Sequence, residues 1–323
     1  MKPILLLYRK GVKEVFENIL EAVGNTPLIK LNKLTKDLGR NIYVKLEGQN
    51  PGGSIKTRAA LNMIRDAEEK GILNPNSTIV EYTSGNQGIG LALVSAVLGL
   101  KCIIVMPDCM SEERKKIIKA YGAEVICTVS EGSITEAFNR AKVAAEKLAK
   151  ENDNYFLASQ FENPANTEAH FVTTAQEIID QMGNMQLDGF LAAVGTGGTI
   201  TGCALKLKEK YPNIKIATAE PEKSAILTGG VISEHGQQGI GDGFIPNILD
   251  TSCYDECIVV SDENAFETAR RLAREEGIFC GISSGTNCWA AMELAKKLPE
   301  GSNIVTICVD LGDRYLSVPG FIE

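Results

Sequence analysis

From about residue 27 onward the chain alternates between short apolar runs and longer amphipathic ones, and this alternation limits the folds open to it. The apolar runs are Pro27–Leu31, Ile42–Glu47, Thr78–Tyr82, Cys102–Met106, Glu124–Val129, Tyr155–Ala158, Phe190–Val194, Ile214–Ala219, Cys257–Ser261 and Ile304–Val309. Between them lie runs of helical character: Thr57–Lys70, Gln87–Leu98, Ser111–Tyr121, Ile134–Lys150, Thr167–Met182, Thr199–Lys210, Asn264–Glu276 and Thr286–Lys297. Strands rich in Val and Ile that recur between helices are buried on both faces, which predicts an α/β fold with mostly parallel sheets. That is too many strands for one tidy sheet. A polar break at Glu151–Asn154, after the longest helical run, divides them into two α/β units. Ahead of them, Glu14–Ala22 reads as a short helix closed by Gly24-Asn25.

A net charge of −8, with both signs mixed along the chain, offers no basic footprint for nucleic acid. No apolar run reaches membrane-spanning length. The apolar patch within Met1–Lys10 is too short for a secretory signal and reads as an extension that docks on a neighbouring surface. The nine cysteines are odd in number and scattered. Several lie in or beside strand-like runs, where a free thiol packs as a small apolar group, and Cys288 reads the same way. With only His170 and His235 as histidines, neither given a role, no structural metal and a reduced, cytoplasmic setting are expected.

In such folds ligands collect at the carboxyl ends of strands, so the loops there repay inspection. Asn50-Pro51-Gly52-Gly53-Ser54-Ile55-Lys56-Thr57-Arg58 places a lysine at a helix start behind two glycines. The helix dipole disfavours a cation there, and a partly neutral lysine is a nucleophile toward carbonyls; the plainer reading is a surface lysine after a turn. Thr83-Ser84-Gly85-Asn86-Gln87-Gly88 opens the next helix with two hydroxyls, an amide and free N–H groups, either a site for a small carboxylate or an N-cap with a glycine turn. Gly195-Thr196-Gly197-Gly198-Thr199 can bring backbone donors to a phosphate. Glu220, at the end of the following strand, is where a dinucleotide fold keeps its ribose-binding acid. The glycine spacing does not complete that fingerprint, because Ile200 occupies the third glycine's place. Gly281-Ile282-Ser283-Ser284-Gly285 precedes a further helix and supplies either hydroxyls or a cap.

Together these loops offer a carbonyl-reactive lysine, a carboxylate cradle, a phosphate cup and a hydroxyl. The chain resembles the β-family (fold type II) of pyridoxal-phosphate enzymes, and within it the cysteine synthase / cystathionine β-synthase group. The resemblance runs from about Asn18 to Tyr315 and rests on Val23–Leu28, the lysine loop, Thr83–Gly88, Gln160–Asn166, Gly195–Thr199, Gln238–Gly241 and Gly281–Gly285. It implies two three-layer α/β domains with mostly parallel sheets, as in the tryptophan synthase β-like fold. A smaller mobile domain would span 49–160, and a larger domain holding the cofactor phosphate would span 14–48 and 161–323. With no haem-binding extension and no regulatory module, the chain resembles the minimal catalytic form, usually a homodimer. Pyridoxal 5'-phosphate is the cofactor implied. Lys56 would carry it as the internal aldimine and later move the Cα proton. Asn86 would bond its 3'-oxygen, Gly195, Thr196, Gly197, Gly198 and Thr199 would hold its phosphate, and Ser283 would meet its ring nitrogen. Thr83, Ser84, Asn86, Gln87, Gln160 and Gly239 would receive the substrate. A hydroxyl at the ring nitrogen makes a weaker electron sink than a carboxylate would, which favours prompt loss of a β-substituent.

Three residues depart from the pattern of cysteine synthases. Gln87 stands where they usually carry threonine, Tyr82 where they usually carry proline, and Asp242 where they usually carry a small residue such as alanine. Asp242 is either a turn aspartate before Gly243 or a carboxylate facing the substrate's Cβ. In the second case it repels hydrosulfide and serves water or a thiol as a general base. The expected reaction is β-replacement on an L-amino acid through an α-aminoacrylate, with L-cysteine and water giving L-serine and hydrogen sulfide. The alternatives are an O-acetylserine sulfhydrylase, thiol addition giving lanthionine or cystathionine, and, more remotely, a nicotinamide dehydrogenase.

Overall fold

The computed structural model describes residues 15–132 and 134–322, so the extension Met1–Lys10 lies outside the described residues. In chain order the elements are β1 (Leu28–Lys30), β2 (Asn41–Leu46), α1 (Lys56–Glu69), β3 (Thr78–Tyr82), α2 (Asn86–Leu98), β4 (Lys101–Pro107), α3 (Glu112–Ala120), β5 (Glu124–Thr128), α4 (Ile134–Lys150), β6 (Tyr155–Leu157) and α5 (Pro164–Ala169). There follow α6 (Ala175–Met182), β7 (Gly189–Ala193), α7 (Gly198–Lys210), β8 (Lys215–Pro221), β9 (Glu256–Val260), α8 (Asp262–Glu276), α9 (Ile282–Lys296) and β10 (Asn303–Cys308). All ten expected strands form, with ends shifted by no more than two residues. Among the described residues no helix is long and apolar enough to cross a membrane.

The strands make two sheets. One has the order β5-β4-β3-β6 and the other β1-β2-β10-β7-β8-β9. Every pairing is parallel except β1 with β2. The central strand β3 is buried along its whole length, as a strand covered on both faces must be. One cover of the smaller sheet is α1 with α2. The other is α4, whose Ala137, Phe138, Ala141 and Ala145 recur at helical spacing on the face turned inward. The larger sheet is covered by α6 and α7 on one side and by α8 and α9 on the other. Ser261 caps α8 by accepting from the Asn264 N–H at 3.2 Å, and Gly277 ends it in the left-handed region at φ 73°.

Three stretches differ from the sequence-based expectation. Of the helix expected over Glu14–Ala22, Glu14 lies outside the described residues and Ile19–Ala22 forms a single helical turn. The helix expected over Thr167–Met182 begins earlier, at Pro164, and is interrupted by a π-type turn at His170–Thr174. That turn lies where α7 presses in, since a Cβ on Gly202 would stand 2.3 Å from the Thr167 carbonyl oxygen. Finally, α9 starts at Ile282, so Ser283 and Ser284 belong to its first turn and not to a loop before it.

Candidate active site

The lysine loop, the turn after β3, the glycine loop after β7, the start of α9 and the loop around Gly239–Asp242 converge on one cleft. Lys56, Thr83, Ser84, Asn86, Gln87, Gln160, Gly195, Thr196, Gly197, Thr199, Gly239, Asp242 and Ser283 all line it. Gly198, expected with them, opens α7 and backs onto Asn166, whose Oδ1 lies 2.4 Å from where its Cβ would be.

Lys56 stands at the seam between the two units. Its neighbour Ile55 packs in the core of the larger sheet, while Ala59, Ala60 and Met63 farther along α1 pack in that of the smaller. Its Nζ lies 3.4 Å from Thr196 Oγ1. Burial pushes the amine down to about 8, against the opposing pull of the Asp242 and Glu81 carboxylates. Burial thus lowers the amine by a route separate from the helix dipole to which the sequence alone pointed.

The lysine loop is braced by an ionic cluster that the sequence did not announce. Arg58 pairs with Glu47 at 2.7 Å and with Glu177 at 2.6 Å, and Lys45 pairs with Glu177 at 2.7 Å. Glu47 also accepts from Thr26 and from Asn50 Nδ2, whose Oδ1 in turn takes the Gly24 N–H at 2.9 Å. All four charged side chains are buried.

In the turn after β3, Thr83 Oγ1 accepts from the Gly85 N–H at 3.1 Å. Asn86 is held from outside the cleft. Its Nδ2 donates to Asp310 at 2.7 Å and its Oδ1 accepts from Arg314, which also reaches the Gly52 carbonyl. Tyr315 donates to the same Asp310 oxygen at 2.7 Å. Gln160 donates to the Tyr82 carbonyl at 3.2 Å, and its backbone N–H reaches Glu81 at 3.0 Å. Burial pushes the Glu81 carboxyl up to about 8. Gln87 is 1 % exposed and its Oε1 has no partner.

Asp242 faces this cleft, and among the described residues its carboxylate accepts no hydrogen bond. Burial raises its pKa, opposed by His235 and Lys56. His235 fixes the loop: its Nδ1 accepts from the Gln237 N–H, so its Nε2 is the protonated nitrogen, 3.0 Å from the Gly241 carbonyl. His170 is fully buried and bridges Thr174 Oγ1 at 3.0 Å and Thr199 Oγ1 at 3.3 Å. Burial holds its pKa well below the ordinary histidine value, so it stays neutral.

Asp310, Arg314 and Arg114 were not singled out from the sequence. Asp310 follows β10, and the strand-end rule that found the other loops would have found it. Arg114 lies on the inward face of α3, four residues before the buried Ile118, but within the charged run Glu112–Lys116 it reads as a solvated residue.

The family model for pyridoxal-phosphate dependent enzymes matches residues 19–310. The chain belongs to that family. It is 48 % identical over 303 residues to a cysteine synthase of Staphylococcus aureus, covering 94 % of this chain and 96 % of that protein. A hydrogen sulfide-producing enzyme from Fusobacterium nucleatum superposes with TM-score 0.88 at 43 % identity, over 94 % of this chain and 100 % of that one. Another hydrogen sulfide-producing enzyme, solved as an aspartate-to-asparagine variant with an α-aminoacrylate intermediate, superposes with TM-score 0.88 at 39 % identity, over 94 % of this chain and 91 % of that one. This protein is a pyridoxal-phosphate enzyme of fold type II in the cysteine synthase group.

The cleft fits that cofactor. A Cβ on Gly195 would stand 2.5 Å from the Gly239 carbonyl oxygen, and one on Gly197 would stand 2.7 Å from Leu249 Cβ. Gly197 also has φ +84°, a conformation that side chains disfavour. Only glycine lets this backbone present its N–H groups, with the start of α7, to a phosphate.

Proposed function

We propose that this enzyme replaces the β-substituent of a small L-amino acid, taking L-cysteine and water to L-serine and hydrogen sulfide. The observation that carries the reading is the unpaired Asp242 carboxylate, which shares the cleft with Lys56. The cofactor, when bound, draws electrons from the substrate's Cα, so that the Cα proton and then the β-substituent can leave. Gly195, Thr196, Gly197, Gly198 and Thr199 would hold its phosphate, Asn86 its 3'-oxygen and Ser283 its ring nitrogen, while Lys56 would carry its aldehyde end. Thr83, Ser84, Asn86, Gln87, Gln160 and Gly239 seat the substrate, with its carboxylate on the turn after β3.

Lys56 takes the Cα proton, and an amine brought near 8 can both accept and return it. The C–S bond breaks and sulfur departs as hydrosulfide. Asp242 accepts a proton from water as the oxygen bonds to Cβ, and Lys56 returns its proton to Cα. The proton on Asp242 passes to the departing sulfide or to solvent. A negative Asp242 repels incoming hydrosulfide, which disfavours the reverse use of the same cleft for making cysteine. The sulfide-producing neighbours agree with this direction. We further propose that residues 49–160 close over the substrate against 14–48 and 161–323, in a cytoplasmic homodimer.

A second reading is O-acetylserine sulfhydrylase activity, favoured by the 48 % identity to a cysteine synthase. In a third, a thiol replaces water and gives lanthionine or cystathionine. Incubating the purified enzyme with L-cysteine alone and identifying products by NMR separates them. Serine with equimolar sulfide is the expected result. No turnover, beside rapid cysteine formation from O-acetylserine and sulfide, would overturn it. Asp242→Asn should release about one sulfide per site and then stall, with steady turnover lowered roughly 100-fold or more.

A further inference from the structure

Arg114 lies on α3 and is 2 % exposed, yet it lines the cleft. Its stem runs along the Ser84–Gly85 turn so closely that a Cβ on Gly85 would stand 2.2 Å from Arg114 Cδ. Its head lies 4.9 Å from the centroid of the Tyr315 ring, and Nη1 donates to Gln238 Oε1. Nε is buried with no partner. Among the described residues no carboxylate pairs with this guanidinium. A buried cation without a counter-ion is costly, and the fork of arginine matches a carboxylate. The adjoining turn, at the start of α2, offers free N–H groups and the positive end of the helix.

We propose that Arg114 is the cationic member of the substrate-carboxylate site and that it couples that site to the Asp242 loop. The proposal rests on the reading above, in which the substrate carboxylate sits on the turn after β3. One end of Arg114 lies against that turn and the other holds Gln238, whose chain continues through Gly239 to Asp242. A bound carboxylate fixes the guanidinium, and the guanidinium fixes the loop that carries the base. Lysine can supply the charge but cannot bridge both partners.

L-alanine and L-alaninamide test this. Neither has a β-leaving group, and they differ in the carboxylate. Calorimetric titration of the holoenzyme should show that Arg114→Gln weakens L-alanine by about tenfold or more, as loss of a charge-assisted hydrogen bond would. The same variant should change L-alaninamide by less than about threefold, and Arg114→Lys should recover part of the loss. Gln238→Leu should keep the preference for L-alanine over the amide. Equal losses for both ligands in Arg114→Gln, no loss for either, or loss of the preference in Gln238→Leu would each overturn the proposal. If Arg114→Gln does not fold, Arg114→Lys and Gln238→Leu still decide it. If the wild type releases no sulfide from L-cysteine, the reading of Asp242 fails while the ratio of the two affinities still reports on Arg114.

Discussion

Arg58 and Lys56 lie two residues apart at the start of α1, and the structure treats their charges in opposite ways. Arg58 is saturated: Glu47 and Glu177 hold it, and Lys45 completes a cluster of two cations and two anions with no exposed member. Lys56, by contrast, forms no ion pair among the described residues, and its Nζ lies 3.4 Å from the Thr196 hydroxyl. Around the same cleft, among the described residues, Asp242 accepts no hydrogen bond and Arg114 meets a neutral amide. Removing a charge from water is costly in both places, and only the first place repays it within the protein. A paired cluster is scaffold, which here locks the loop that presents Lys56. Charges left unpaired around a cleft are where a ligand's own charges belong, and burial shifts Lys56 down and Asp242 up, as expected of working groups.

The largest effect should come from the unpaired side. Lys56→Ala should lower sulfide release from L-cysteine by about 10^3-fold or more, because the proton at Cα loses its acceptor. The fold should persist, since no ion pair is broken, and a circular dichroism spectrum unlike the wild type's would break the comparison. Arg58→Met should do the reverse. It leaves Glu47 without its cation in the interior and Glu177 with Lys45 alone, at a cost of about 3–5 kcal/mol. That corresponds to a fall in Tm on the order of 10 °C, read by thermal melting. A Tm within about 2 °C of wild type would show that the cluster does not hold the loop.

Sequence reading reached the unpaired set far better than the paired one, for a physical reason. Lys56, the turn at Thr83–Gln87 and Gly195–Thr199 sit in loops at strand ends, and such loops are unusual in composition because they must approach a ligand. The strands were legible because parallel strands buried on both faces leave continuous apolar runs. Lys45, Glu47, Arg58 and Glu177 come from β2, the segment after it, α1 and α6, and each by itself reads as an ordinary surface charge. Their burial exists only once the fold has brought them together. Arg114 escaped for the same reason, since its partners Gln238 and Tyr315 lie more than 120 residues away. The π-type turn at His170–Thr174 was invisible because neighbouring α7, and not local propensity, accompanies it.

Glu81 tests the boundary between the two kinds of buried charge, with the smallest effect. It has backbone donors, from Tyr82 at 2.9 Å and Gln160 at 3.0 Å, but among the described residues no cation pairs with it. Burial pushes its carboxyl from an ordinary value of 4.5 up to about 8. Between those values the folded protein keeps a proton that the unfolded chain has released, so stability falls as pH rises through the window. His170 acts oppositely, because the unfolded chain binds a proton below about pH 6.5 that the buried imidazole refuses. Lys56, lowered to about 8, changes stability only above that pH. Comparing Glu81→Gln with wild type cancels the histidine. The variant cannot ionise, so between about pH 5 and pH 8 its Tm should drop less than that of wild type, by roughly 2–4 °C. Parallel curves would mean that the two backbone N–H groups already keep Glu81 ionised, placing it with the satisfied charges of the scaffold instead of the poised charges of the cleft.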